Sequence, residues 1–114
     1  MTNPEDHLDV AALQDLKEIM ESEYETLVNT FIADTQTKLL EIAEVIHQED
    51  PESLRKISHS LKGSSSNVCA LKLSEVARQL EIMGKEGDIS GAMDLLTELE
   101  DEFSVVSGIL TDSL

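Results

Sequence analysis

The stretch Lys56-Ile57-Ser58-His59-Ser60-Leu61-Lys62-Gly63-Ser64-Ser65-Ser66-Asn67 holds two lysines, one histidine and no acid, in a chain with 24 acidic residues against 8 basic. Imidazole is a neutral nucleophile near physiological pH. Once phosphorylated it carries close to two negative charges. A carboxylate nearby would oppose that product, whereas a lysine one helical turn away supports it by charge-assisted contact. His59 is therefore the candidate phosphoryl acceptor, and Lys62 the cation placed to steady the group it receives.

On a helical wheel of about 100° per residue, Leu54, Ile57, Leu61 and Val68 define the core side of the helix that carries this stretch. His59 then falls about 170° from that stripe, with Arg55, Lys62, Gly63 and Ser66 as its neighbours one and two turns away. That face is cationic, small and free of carboxylates, suited to an acidic partner that docks over Arg55 and Gly63. Glycine inside a helix costs about 1 kcal/mol relative to alanine. Clearance for a docking surface explains Gly63, and a helix end or packing notch is the competing explanation. Ser66 shares the face of His59 and can reach the ring or a phosphate; Ser65 lies nearer the core, where it can bond back to a carbonyl.

Five helical segments must position these residues. The first, about Val10–Met20, follows an Asp9 cap and repeats Val10, Leu13, Leu16, Ile19 and Met20 at helical spacing. Ser22-Glu23-Tyr24-Glu25 reads as a capping box for a second helix running to about His47. Asp50-Pro51 starts the third, with proline where its missing N–H costs nothing. Leu71 to Lys85 forms the fourth, stopped by Gly84 and Gly87, and Asp88 caps a fifth whose stripe is Met93, Leu95, Leu96, Leu99, Phe103, Val106 and Leu110. Amphipathic helices with short connections pack as antiparallel neighbours. The expected fold is all-α: an up-and-down antiparallel four-helix bundle with an additional short N-terminal helix, forming a single domain over residues 1–114.

Composition agrees. Apolar residues make up 40 %, but only Tyr24, Phe31 and Phe103 are aromatic, so the core must be aliphatic. Two prolines and five glycines favour long helices over many strands and turns. Cys69 stands alone, which excludes an internal disulfide and a multi-cysteine metal site. The start MTNPEDH lacks a basic region followed by an apolar run, and no stretch approaches the roughly 18–20 apolar residues of a membrane span, so a cytoplasmic location is expected. A formal charge of −16 argues against nucleic acid and anionic membrane surfaces. Segment 55–85 nevertheless carries six basic residues against two acidic ones, a local +4 on a body of −20.

His59-Ser60-Leu61-Lys62-Gly63-Ser64-Ser65-Ser66-Asn67-Val68-Cys69-Ala70 resembles the H-x-L-K-G-x-S-x-x-x-G-A signature of histidine-containing phosphotransfer (HPt) domains. The resemblance extends over nearly the whole chain, through Leu8-Asp9, the Phe31 segment, Asp50 to Leu54, and Leu80-Glu81. It implies a bundle that accepts phosphate on His59 from one receiver-domain aspartate and passes it to another. Lys62 would steady the phosphoryl group and Gly63 would admit the partner. Implied partners are response-regulator receiver domains and a hybrid sensor kinase, with the protein a monomeric phosphocarrier lacking a kinase site and magnesium residing on the receiver. Ser58 stands where the family often has alanine, and Cys69 where it usually has glycine, which bears on the local helix ending. Arg78, Glu81 or Lys85 of the following helix could approach His59.

Two other readings compete. Glu44-Val45-Ile46-His47 is one Glu-x-x-His motif of the kind paired in di-iron bundles, but a second is absent because Lys56 and Pro4 precede His59 and His7 by three. An acidic bundle that binds a signalling partner without phosphate chemistry would share every fold-level feature.

Overall fold

The structure, a computed structural model, describes residues 3–114. After a 3-10 turn at Pro4–Asp6 come five helices: α1 Val10–Met20, α2 Glu23–His47, α3 Pro51–Asn67, α4 Leu71–Glu86 and α5 Ala92–Asp112. Packing runs α2 to α3, α3 to α4, α4 to α5 and α5 back to α2, which closes a four-helix bundle with α1 against its side. No helix is long and apolar enough to cross a membrane among the described residues.

Local chemistry explains most boundaries. Asp9 accepts the Ala12 N–H and starts α1, and Asp50 accepts the Ser53 N–H ahead of Pro51 and starts α3. Gly87 ends α4 in the left-handed region at φ 83°, where glycine carries no Cβ penalty. Two caps differ from the sequence expectation. Ser22 makes no side-chain bond at the start of α2, so the capping box does not form. Asp88 bonds Ser90 in the preceding turn, and α5 begins later, after Gly91.

The core is aliphatic, with Phe31 and Phe103 in an edge-on contact at 6.3 Å. Val28, Ile42, Leu54, Leu61, Leu73, Leu80, Leu99, Val106 and Leu110 are fully enclosed. The stripes are narrower than sequence periodicity suggests. Val10, Ile19 and Met93 lie exposed, because α1 buries only Leu13 and the first turn of α5 seats Ala92 instead. Thr35 continues the α2 stripe as a buried polar residue.

The α3 stripe is Leu54, Ser58, Leu61 and Ser65, continued by Val68, with Ile57 only half-buried. Helices α3 and α4 share the most extensive contact of the bundle. The approach is tightest at Gly84, where an added Cβ would stand 2.6 Å from the Pro51 carbonyl oxygen and 2.7 Å from the Arg55 nitrogen. Gly84 thus lies inside α4 and serves backbone contact with α3; it does not stop the helix.

Candidate functional site

His59 stands at the midpoint of α3, pointing outward, with its side chain 63 % exposed. Its helical phase follows from the buried positions on the opposite side of α3. Lys62 is one turn further along. The residue that joins them comes from α4: Glu81 Oε2 lies 2.7 Å from His59 Nδ1, and Glu81 Oε1 lies 2.7 Å from Lys62 Nζ. The face is therefore not free of carboxylates. The reading from α3 alone holds for that helix, but the close packing at Gly84 turns position 81 of α4 toward it. Of the three α4 residues considered, Glu81 makes the contact. Arg78 instead pairs with Glu75 at 2.6 Å.

The hydrogen bonds from Lys62 and then His59 hold the Glu81 carboxyl below its ordinary range, against the opposing effect of burial. At neutral pH it is an ionised group that only accepts hydrogen bonds. The proton of the neutral ring must then sit on Nδ1, donated to Glu81, which leaves the lone pair on Nε2 directed away from this contact. Glu81 thus fixes the tautomer and turns the nucleophilic nitrogen outward.

The remaining predicted residues take different places. Gly63 is exposed on α3, and an added Cβ would meet nothing within 4 Å. Neither packing nor a left-handed backbone requires glycine there. Arg55 is half-buried and bonded to Glu52 at 2.6 and 3.1 Å. Ser74 of α4 donates to the Lys62 carbonyl at 2.9 Å, so the 2.9 Å contact between Ser66 and Ser74 has Ser66 as donor. The Ser66 hydroxyl is accordingly committed to α4. Ser65 is buried and makes no carbonyl bond, while Ser64 bonds back to Leu61 at 3.2 Å. Cys69 adopts φ 62°, and Ala70 N–H returns to the Ser65 carbonyl at 2.9 Å. The helix ending typical of glycine is thus retained with a side chain present. His47 ends α2 on the surface, and Glu44 bonds Gln48 there.

Three of the basic residues counted around His59 are paired: Arg55 with Glu52, Lys62 with Glu81, and Arg78 with Glu75. Glu75 and Glu81 are already within the local +4, so only the outside carboxylates Glu52 and Glu102, the latter 3.7 Å from Lys72, reduce it, to +2. Between α2 and α3 lies an open depression lined by Leu27, Thr30, Phe31, Asp34, Ser64, Asn67 and Val68.

An outward histidine flanked by a lysine on a four-helix bundle is the arrangement that the resemblance to histidine phosphotransfer domains implies. Residues 26–108 match the Hpt domain family, and the chain belongs to it. The solved structure of histidine-containing phosphotransfer protein B (HptB) from Pseudomonas aeruginosa PAO1 is similar, at 34 % identity and a TM-score of 0.91 over 94 % of this chain and 93 % of that one. A search of curated proteins gave no match. The chain is a histidine phosphotransfer protein of phosphorelay signalling.

Proposed function

We propose that His59 is the phosphoryl carrier, loaded by a receiver-domain aspartyl phosphate and discharged to the aspartate of another receiver. The observation that carries this reading is the Glu81 contact, which leaves an exposed Nε2 lone pair. Nε2 attacks phosphorus in line with the acyl-phosphate bond; the P–N bond forms, the P–O bond breaks, and the aspartate carboxylate departs. The phosphorylated ring retains its Nδ1 proton, and Glu81 balances the resulting imidazolium. Discharge is the reverse, with the neutral ring as leaving group.

Lys62 shares Glu81 in the resting protein and is within reach of a phosphoryl group one turn away. Gly63 gives clearance, and Arg55 lies at the edge of the docking surface. Ser66 holds α3 to α4 through Ser74, and any contribution it makes to the phosphate requires breaking that bond. Receiver domains and a hybrid sensor kinase are the partners, and magnesium is bound by the receiver. The protein acts as a cytoplasmic, monomeric phosphocarrier with no kinase site of its own.

The test is phosphoryl transfer from a phosphorylated receiver. One acid-labile, base-stable phosphate is expected on the wild-type chain and none on folded His59→Gln. Label that persists in the variant, at His7 or His47, overturns the assignment; a wild-type chain that binds receivers without label supports the adaptor reading.

A further inference from the structure

A second histidine is built into the opposite kind of environment. His7 Nδ1 lies 2.9 and 2.8 Å from the two oxygens of Glu102 on α5. The two side chains are only 13 % and 5 % exposed. Lys72 of α4 stands 3.7 Å from the same carboxylate. Around this contact the chain is fastened at three further points. Lys72 N–H donates to the His7 carbonyl at 3.4 Å, Asp9 N–H donates to the Cys69 carbonyl at 2.9 Å, and Leu8 is 3 % exposed.

Beyond this clasp the hold is weak. Helix α1 buries only Leu13. A cleft of about 230 Å³, lined by Leu8, Val10, Leu13, Lys17, Tyr24 and Ile109, lies between it and the bundle. At the far end Lys17 reaches the Ser113 carbonyl and lies over the Tyr24 ring at 5.9 Å. Segments with little apolar burial open at lower cost than the core. The clasp itself is a hydrogen bond that water replaces when the segment opens, so its net contribution is modest.

We propose that residues 3–20 form a strap that opens as a unit while α2–α5 stay folded, with His7–Glu102 as its latch. Met20, at the strap's end, lines a groove with Glu23, Thr26, Leu27 and Thr30 of α2. Leu27 and Thr30 also line the depression between α2 and α3.

Amide hydrogen exchange on the full chain tests the strap. In the wild type, α1 amides should be protected at least about tenfold less than those of α3 and α4. His7→Ala should lower α1 protection by about a further tenfold and leave α3–α5 within about twofold. His7→Asn, which keeps an N–H donor toward Glu102, should stay close to wild type. Equal loss of protection in all helices, an unfolded His7→Ala chain, or unchanged α1 exchange overturns the proposal. Labelling of His59 by phosphoramidate, a small donor that needs no docking, should proceed in His7→Ala as in the wild type. Absence of that label in both proteins would refute the phosphotransfer reading and leave the exchange result standing.

Discussion

His59 and His7 are surrounded by the same three side-chain types. Each presents Nδ1 to a glutamate, at 2.7 Å in one case and 2.8 Å in the other, and each glutamate has a lysine beside it. They differ in exposure, 63 % against 13 %, and in which partner is buried. At His59 the carboxylate aligns a ring whose other nitrogen is open to an incoming phosphoryl group. At His7 the carboxylate is enclosed and the ring closes over it, so the same contact fastens a segment. On the proposals above, the same pair geometry would serve reaction at His59 and attachment at His7, according to solvent access.

The largest expected difference comes from removing each carboxylate. Glu81→Ala should slow phosphoryl uptake by about 10- to 100-fold, since tautomer control is lost, and should barely move the unfolding midpoint. Glu81→Gln should recover most of the rate, because the amide oxygen still accepts the Nδ1 proton. Glu102→Ala should do the reverse, costing about 1–3 kcal/mol of stability with near-normal uptake. Similar effects of both substitutions on either quantity would erase the distinction between the two sites. Phosphoramidate labelling and chemical denaturation on the same preparations provide the comparison.

Two glycines extend the contrast between a surface for a partner and a surface for the fold. Gly84→Ala should cost about 1–3 kcal/mol, because the new methyl group meets the α3 backbone. Gly63→Ala should be neutral or stabilising by up to about 1 kcal/mol. Gly63→Gln should melt like the wild type yet exchange phosphate with receivers more slowly. Normal exchange rates in that stable variant would sink the clearance argument.

Acid should weaken the exposed pairing before it touches the aliphatic core. Glu81 is held below its ordinary value of 4.5 chiefly by Lys62, and Asp50 below 3.8 chiefly by Ser53. A depressed carboxyl contributes stability that is present above its unfolded value and lost as pH falls through its folded one. The contribution of these groups should therefore be constant near neutrality and decline below about pH 4.5. NMR titration should show the Glu81 carboxyl signal changing there; a Glu81 carboxyl that titrates above its ordinary range would contradict the contact.

The smallest effects belong to surface charge. Lys62→Ala should reduce transfer a few-fold and leave melting nearly unchanged. Added salt should slow receiver association modestly, less than the local +4 alone implies, because Glu52 and Glu102 offset two of those charges and Lys62 and Arg78 are held in pairs within the protein. A steep salt dependence measured by stopped flow would mean that those pairs open on docking.

Local sequence determined a large share of this protein. The Asp9 and Asp50 caps, the proline after Asp50 and the apolar repeats placed α1 and α3, because such signals act within one or two turns. The outward direction of His59 followed from the period of its own helix, as did its nearness to Lys62. The motif from His59 to Ala70 carried the family and the expected chemistry. Cys69 shows the limit of reading a departure: its backbone keeps the left-handed ending with a thiol in place. Tertiary structure alone decided which carboxylate meets the histidine. Periodicity fixes each helix's buried face relative to its own axis, but the axial offset and rotation between two helices depend on side chains packing in three dimensions. Here Gly84 on α4 admits a close approach to α3, and Glu81, one turn earlier on α4, meets His59. The same reason hid the His7–Glu102 clasp, whose partners lie 95 positions apart in the chain and meet only when the bundle closes.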